Sequence, residues 1–236
     1  MAERFQLGKD IPFELPLEQD AVLVPEADDQ FGIAEAASGY TRHNTLNPLH
    51  GALIAAAVAN DGVMMEPSIV NRALSKDGKL DYTFQPKPLA VILEKTTTDE
   101  LSLMMHRTIV MGTSHRAFRN VSNSVALNEV YIAGKTGTLN GWSPPGRYDW
   151  FVGFGERDGA KIAVAALCIH GSRHGIKASQ VARAAFETYF GAPVAISQSN
   201  SAPGQVQATQ TTQVAQPIQH VHHVRRHRRA RHHNTV

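Results

Sequence analysis

One cysteine, Cys168, occurs in the 236 residues, so no internal disulfide forms and the fold rests on its core. No stretch approaches the roughly 20 consecutive apolar residues that span a bilayer. The opening residues Met1-Ala2-Glu3-Arg4-Phe5 also lack the basic-then-apolar layout of a secretory signal. Acidic residues are absent beyond Gly191, and so are aromatic ones. Without aromatics that end of the chain has no base-stacking platform, and no specific nucleic-acid site is expected. His43, His50, His106 and His115 are scattered singly, the pattern of structural histidines rather than ligands. No resident metal and no cofactor are expected.

What is present divides at about Gly191. Residues 1–190 carry a formal net charge of −3, against +5 for the remainder, where the charge comes from Arg225, Arg226, Arg228, Arg229 and Arg231. Residues 191–219 are rich in Gln, Ser, Thr and Ala without apolar periodicity and read as a disordered linker. Residues 220–236 form a basic tail with six histidines among the arginines, suited to an anionic surface or to adventitious metal binding. Residues 1–190 have enough apolar content for a core.

Within that body, residues 1–35 contain Pro12, Pro16 and Pro25 and read mostly as loop. Asn47-Pro48 is a strong helix start, a capping side chain followed by proline at the first helical position. The small apolar run that follows predicts a buried, closely packed helix ended by Asp61-Gly62. Residues 69–74 and 80–84, separated by Asp77-Gly78, predict a hairpin. Thr97 with Glu100 predicts a capping box opening a helix through Leu101, Met104, Met105 and Ile109, ended by Gly112. Residues 131–139, 149–155 and 161–170 predict three strands, the last two joined by the turn Glu156-Arg157-Asp158-Gly159. Residues 177–190 predict an amphipathic helix with Val181, Ala184, Ala185, Thr188 and Tyr189 inward. Helices against a small antiparallel sheet make an α+β body.

The densest chemical signal is Gly134-Lys135-Thr136-Gly137-Thr138, followed after a turn-rich gap by Trp150-Phe151-Val152-Gly153-Phe154. On a strand, Lys135 and Gly137 point one way and the two threonine side chains the other. A glycine inside a strand marks close approach of a ligand or another backbone. A cation, two hydroxyls and a bare backbone suit a substrate bearing a carboxylate and a carbonyl. Trp142 and Tyr148 in the next loop fit either loop packing or the lining of a substrate groove. Asp149 reads as satisfying a local turn. Cys168, inside the apolar run 162–169, reads as a small buried hydrophobe. A hydrolase built on Ser38 or Cys168 finds no Lys or His at an activating spacing.

Four segments in order resemble the C-terminal portion of a penicillin-binding transpeptidase domain, a member of the serine β-lactamase-like family. These are residues 2–8, the helix from Asn47-Pro48-Leu49 to Asp61-Gly62 with Pro67, Met111-Gly112-Thr113, and the Lys-Thr-Gly-Thr strand with its neighbour. The resemblance covers residues 1–190 and implies a D,D-transpeptidase acting by acyl transfer on peptidoglycan stem peptides in cell-wall cross-linking. It implies that Lys135 polarises the substrate, Thr136 and Thr138 hold the carboxylate of a β-lactam or stem peptide, and Gly137 lets the ligand lie against the strand. The resemblance also implies that the N–H of Thr138 is one of two oxyanion donors.

No serine here has a lysine three residues later, and no Ser-x-Asn occurs. A serine needs such an adjacent base to act as nucleophile, so no catalytic residue is assigned. The family carries both elements N-terminal to the matched region, so the sequence reads as a domain that starts late. Its expected role is the substrate-binding half, inactive alone, with an unpaired strand edge at residues 161–170. The resemblance implies a periplasmic or membrane-associated site of action, although no signal or membrane span is read in this chain. The alternative is a non-catalytic protein whose tail docks on an anionic surface or metal.

Overall fold

The computed structural model describes residues 1–172 and 175–191; the linker expected after Gly191 and the basic tail of residues 220–236 lie outside them. The first helix, α1 (Gln30–Ser38), corrects the reading of its segment as loop. It buries none of its residues and is made by its ends. The Asp29 side chain accepts from the Gly32 N–H, and Gly39 adopts a left-handed φ of 73° to turn the chain out.

The second helix, α2 (Pro48–Ala59), starts as its sequence dictates, with the Asn47 side chain accepting from the Leu49 N–H at 2.8 Å and Pro48 in the first turn. His50, Gly51, Leu53, Ala55, Ala57 and Val58 are buried. Asp61 and Gly62 end it at φ 52° and 90°, and a Cβ on Gly62 would sit 2.0 Å from the Leu93 carbonyl oxygen. Two short antiparallel pairs follow: β1 (Val63–Met65) with β4 (Pro88–Val91), and the exposed hairpin β2 (Arg72–Leu74) with β3 (Leu80–Thr83).

The third helix, α3 (Lys95–Val110), has no side-chain cap, so the Thr97–Glu100 capping box does not form. The helix begins at Lys95 and includes Thr97. Its entry is set from outside: Ile92 and Leu93 are buried just ahead of it, and both donate their N–H to the Gly62 carbonyl. The Lys95 ammonium then bridges Asp61 at 2.8 Å and Asp99 at 3.0 Å. Of the two adjacent methionines, Met105 is buried and Met104 exposed.

Three long strands, β5 (Tyr131–Trp142), β6 (Pro145–Arg157) and β7 (Ala160–His170), form an antiparallel sheet in that order. Asp158 and Gly159, at φ 53° and 79°, provide the two left-handed residues a tight β6–β7 hairpin needs. Among the described residues no strand pairs with the outer side of β7.

Both faces of this sheet are covered. Ile132 of β5, Phe151 of β6 and Ala166 of β7 join one core with Phe118, Leu127, Phe186 and Phe190. Ala133 and Phe154, on the opposite face, join Leu53, Ala57, Met64, Ile92 and Met105. Gly51 lets α2 lie on the sheet, a Cβ there meeting Val152 at 3.3 Å and Ala165 at 3.6 Å.

The last helix, α4 (Ala178–Gly191), covers the first core with Ala178, Ser179, Ala182, Phe186 and Phe190. This corrects the expected inward face: Val181, Ala184, Thr188 and Tyr189 are exposed and Ala185 is half-buried. The two phenylalanines, each worth about 1.5–3 kcal/mol on full burial, set the rotation. The bare backbone of Gly155 receives them, since a Cβ there would lie 2.9 Å from Phe190 and 3.2 Å from Phe186. No helix of the described residues is long and apolar enough to cross a membrane.

Candidate functional site

The outer edge of β5 is covered at its start and open beyond. Along the first part runs α3, with Met105 in one core and Ile109 in the other. His106 donates through Nδ1 to the Ile132 carbonyl at 2.7 Å and stacks on Tyr131 with ring centroids 4.6 Å apart. The Tyr131 hydroxyl in turn bonds Ser102. α3 stops at Val110, and the chain folds back over its last turn through Gly112, where a Cβ would lie 2.7 Å from the Thr108 Cα. The edge is open from Lys135 onward, where Lys135, Thr138, Leu139 and Asn140 are exposed.

The residues expected from the sequence are therefore together on one strand at an accessible edge. Lys135 is exposed and its ammonium donates to the Thr136 carbonyl at 2.6 Å. Lys135 and Gly137 share the face of Ala133, while Thr136 and Thr138 share that of Ile132. In an antiparallel strand a residue's N–H and C=O aim to the same side, alternating along the chain. The carbonyls of Ile132 and Thr136 bond side chains, so this set faces away from β6. By the same alternation Thr138 presents its N–H to the open edge.

The two glycines of the run differ in what their bareness serves. A Cβ on Gly134 would lie 2.3 Å from the Phe151 ring, so this glycine is demanded by packing. A Cβ on Gly137 would meet only Trp150 Cβ, at 3.5 Å. The bare surface at Gly137 is left unfilled by the protein itself.

Thr113, which the sequence marks only as following a helix end, joins this group. Its hydroxyl lies 2.6 Å from that of Thr136. The Gly112-Thr113 setting is legible in the sequence, but the contact across 23 residues is not. Trp142, 57% exposed, carries the Arg42 guanidinium over its ring at 4.1 Å. Tyr148 packs within its own hairpin, across Gly141 and with its hydroxyl on the Pro144 carbonyl at 3.0 Å.

The remaining candidates have structural partners. His50 is fully buried, with Nδ1 on the Asp20 carboxylate and Nε2 on the Phe5 carbonyl. Asp149 does not close a local turn: it is buried, and its carboxylate accepts from the Ala178 N–H at the start of α4 at 2.8 Å. Cys168 is half-buried against the first core. Burial, then the Asp149 charge, pushes its thiol above the ordinary range, the wrong direction for a nucleophile. The Ser38 hydroxyl donates to the Glu35 carbonyl within α1. Among the described residues no group of three His, Cys, Asp or Glu is placed to hold a metal ion.

Residues 1–187 match the family profile of the penicillin binding protein transpeptidase domain. The chain is 28% identical over 144 residues to penicillin-binding protein PbpB of Mycolicibacterium smegmatis, covering 61% of this chain and 22% of that protein. Its fold is similar to the D,D-transpeptidase domain of a peptidoglycan glycosyltransferase from Eggerthella lenta, with TM-score 0.61 and 25% identity, over 80% of this chain and 46% of that one. It is also similar to penicillin-binding protein A of M. tuberculosis in its ceftriaxone acyl-enzyme complex, with TM-score 0.64 and 23% identity, over 80% and 41%. The chain thus spans less than half the length of these relatives.

Proposed function

This chain belongs to the penicillin-binding protein transpeptidase family, and on that premise we propose that the open edge of β5 binds the carboxylate end of a peptidoglycan stem peptide or a β-lactam. The observation that carries the reading is the order along this edge. A cation at Lys135, hydroxyls at Thr136 and Thr138, an unfilled surface at Gly137 and the outward N–H of Thr138 follow within four residues.

In this reading the ligand lies along the open edge, where its carboxylate is reached by the Thr136 and Thr138 hydroxyls from one face and by the Lys135 ammonium, seated on the edge-facing Thr136 carbonyl, from the other. Its reacting carbonyl points at the Thr138 N–H, where negative charge would develop in acyl transfer. Such a donor is worth about 10²–10³ in rate when the rest of the machinery is present.

The nucleophile is the part this sequence does not contain: none of its serines has a lysine three residues on. We therefore assign substrate binding to these residues and no acyl-transfer activity to the chain alone. The family's work on peptidoglycan supports a binding event outside the cytoplasmic membrane. The His/Arg stretch of residues 220–236 supports a second contact, with an anionic surface such as wall phosphates or lipid headgroups.

Intact-mass spectrometry after exposure to benzylpenicillin tests the assignment. The full chain alone is expected to gain no covalent adduct. When mixed with a separately supplied segment bearing Ser-x-x-Lys, the adduct is expected on that segment's serine. An adduct on this chain by itself would overturn the assignment.

A further inference from the structure

We propose that Thr113 is a positioning residue for the ligand-binding hydroxyl of Thr136; this rests on the carboxylate reading of β5 given above. The two hydroxyl oxygens are 2.6 Å apart, across 23 residues of sequence.

A threonine hydroxyl has one proton to give and two lone pairs to offer. In the free protein either partner of this pair can donate. An anionic ligand changes that, because a carboxylate only accepts. Thr136 must turn its single proton toward the ligand, and Thr113 must then donate to Thr136. Accepting from Thr113 fixes the Thr136 rotor and polarises its O–H toward the ligand, as successive hydrogen bonds in a chain do. A side chain of the same shape without a hydroxyl supplies neither effect.

Thr113 is placed to do this by a frame anchored on both sides. Gly112 folds the chain back over α3, the Ser114 N–H donates to the Thr108 carbonyl at 3.1 Å, and Ser114 itself is fully buried. α3 is tied to β5 by His106 on the Ile132 carbonyl and by Tyr131 on Ser102. Helix end and strand therefore hold their spacing while Thr113 stays exposed. Thr113→Val exchanges the hydroxyl for a methyl, and because Thr113 is exposed the side chain has room to turn that methyl away from Thr136.

The test titrates the isotope-labelled full chain with a peptide ending in D-alanyl-D-alanine, once with a free carboxylate and once as its terminal amide. Backbone shifts of residues 135–138 report binding. For the carboxylate peptide, Thr113→Val is expected to weaken binding about three- to tenfold, the worth of one such hydrogen bond, and Thr113→Ser to restore it. For the amide, all three chains are expected to bind alike.

Equal binding of the carboxylate peptide by wild type and Thr113→Val would overturn the positioning role and leave the β5 reading standing. Equal weakening toward both peptides, or no rescue by Ser, would make Thr113 a staple between α3 and β5 and also overturn it. Failure of the wild type to distinguish carboxylate from amide would remove both proposals.

Discussion

The carboxylate of Asp149, in the middle of the sheet, accepts a hydrogen bond at 2.8 Å from the N–H of Ala178, the residue that begins α4. Both residues are buried. The bond joins the strand beside the candidate site to the helix that closes the first core. It satisfies one of the four N–H groups a helix start leaves unpaired. Lys177 stands 3.8 Å from the same carboxylate and adds a favourable charge.

Asp149→Ala is expected to lower stability by about 1–3 kcal/mol, because it strands a buried donor. Asp149→Asn keeps an acceptor oxygen and is expected to lose less than half as much. Denaturant unfolding of the two variants checks this; equal losses would mean that charge, not the cap, holds α4.

Gly134 and Gly137 are expected to respond oppositely to alanine. At Gly134 the new methyl would meet the Phe151 ring, an overpacking that costs about 1–3 kcal/mol. At Gly137 there is room, so stability should stay within about 0.5 kcal/mol, while binding of a carboxylate ligand falls several-fold. Thermal melts and a ligand titration on both variants separate packing from function.

The buried pair of His50 and Asp20 clamps the N-terminal segment to α2. Removing one partner leaves the other buried without its hydrogen-bond complement, so His50→Leu and Asp20→Leu should each cost about 1–3 kcal/mol. The double variant should recover at least about 1 kcal/mol relative to the sum. Strict additivity in the unfolding free energies would contradict a coupled pair.

Cys168 is expected to resist alkylation. Its thiol is raised above the ordinary value by burial first and by Asp149 second, so the reactive thiolate is scarcer in the folded chain than in the unfolded one. A thiol that stays protonated to higher pH when folded favours the folded state below its unfolded pKa. That contribution is lost as pH rises through the folded value. Iodoacetamide labelling at about pH 8, with and without denaturant, should run several-fold slower in the native chain.

Sequence and structure agree where a feature is local. Asn47-Pro48, Asp61-Gly62 and Asp158-Gly159 carry their own backbone instructions, and α2 and the β6–β7 hairpin follow them. The strand bearing Lys135 is legible for the same reason. Features made by distant partners are not. The start of α3 is fixed by Gly62 and the buried Ile92-Leu93 rather than by Thr97. The rotation of α4 is fixed by Phe186 and Phe190 over Gly155. α1 buries nothing, so no apolar period announces it. At the site, Thr113 and the α4 cap on Asp149 are contacts across 23 and 29 residues, beyond the reach of spacing.

The most direct measurement is a titration of the isotope-labelled full chain with benzylpenicillin, followed residue by residue and repeated on Lys135→Ala. Saturable shifts centred on Lys135, Thr136, Gly137 and Thr138, lost or strongly weakened in the variant, are the expected result. Shifts absent from this strand, or unchanged by Lys135→Ala, would contradict ligand binding at the open edge of β5.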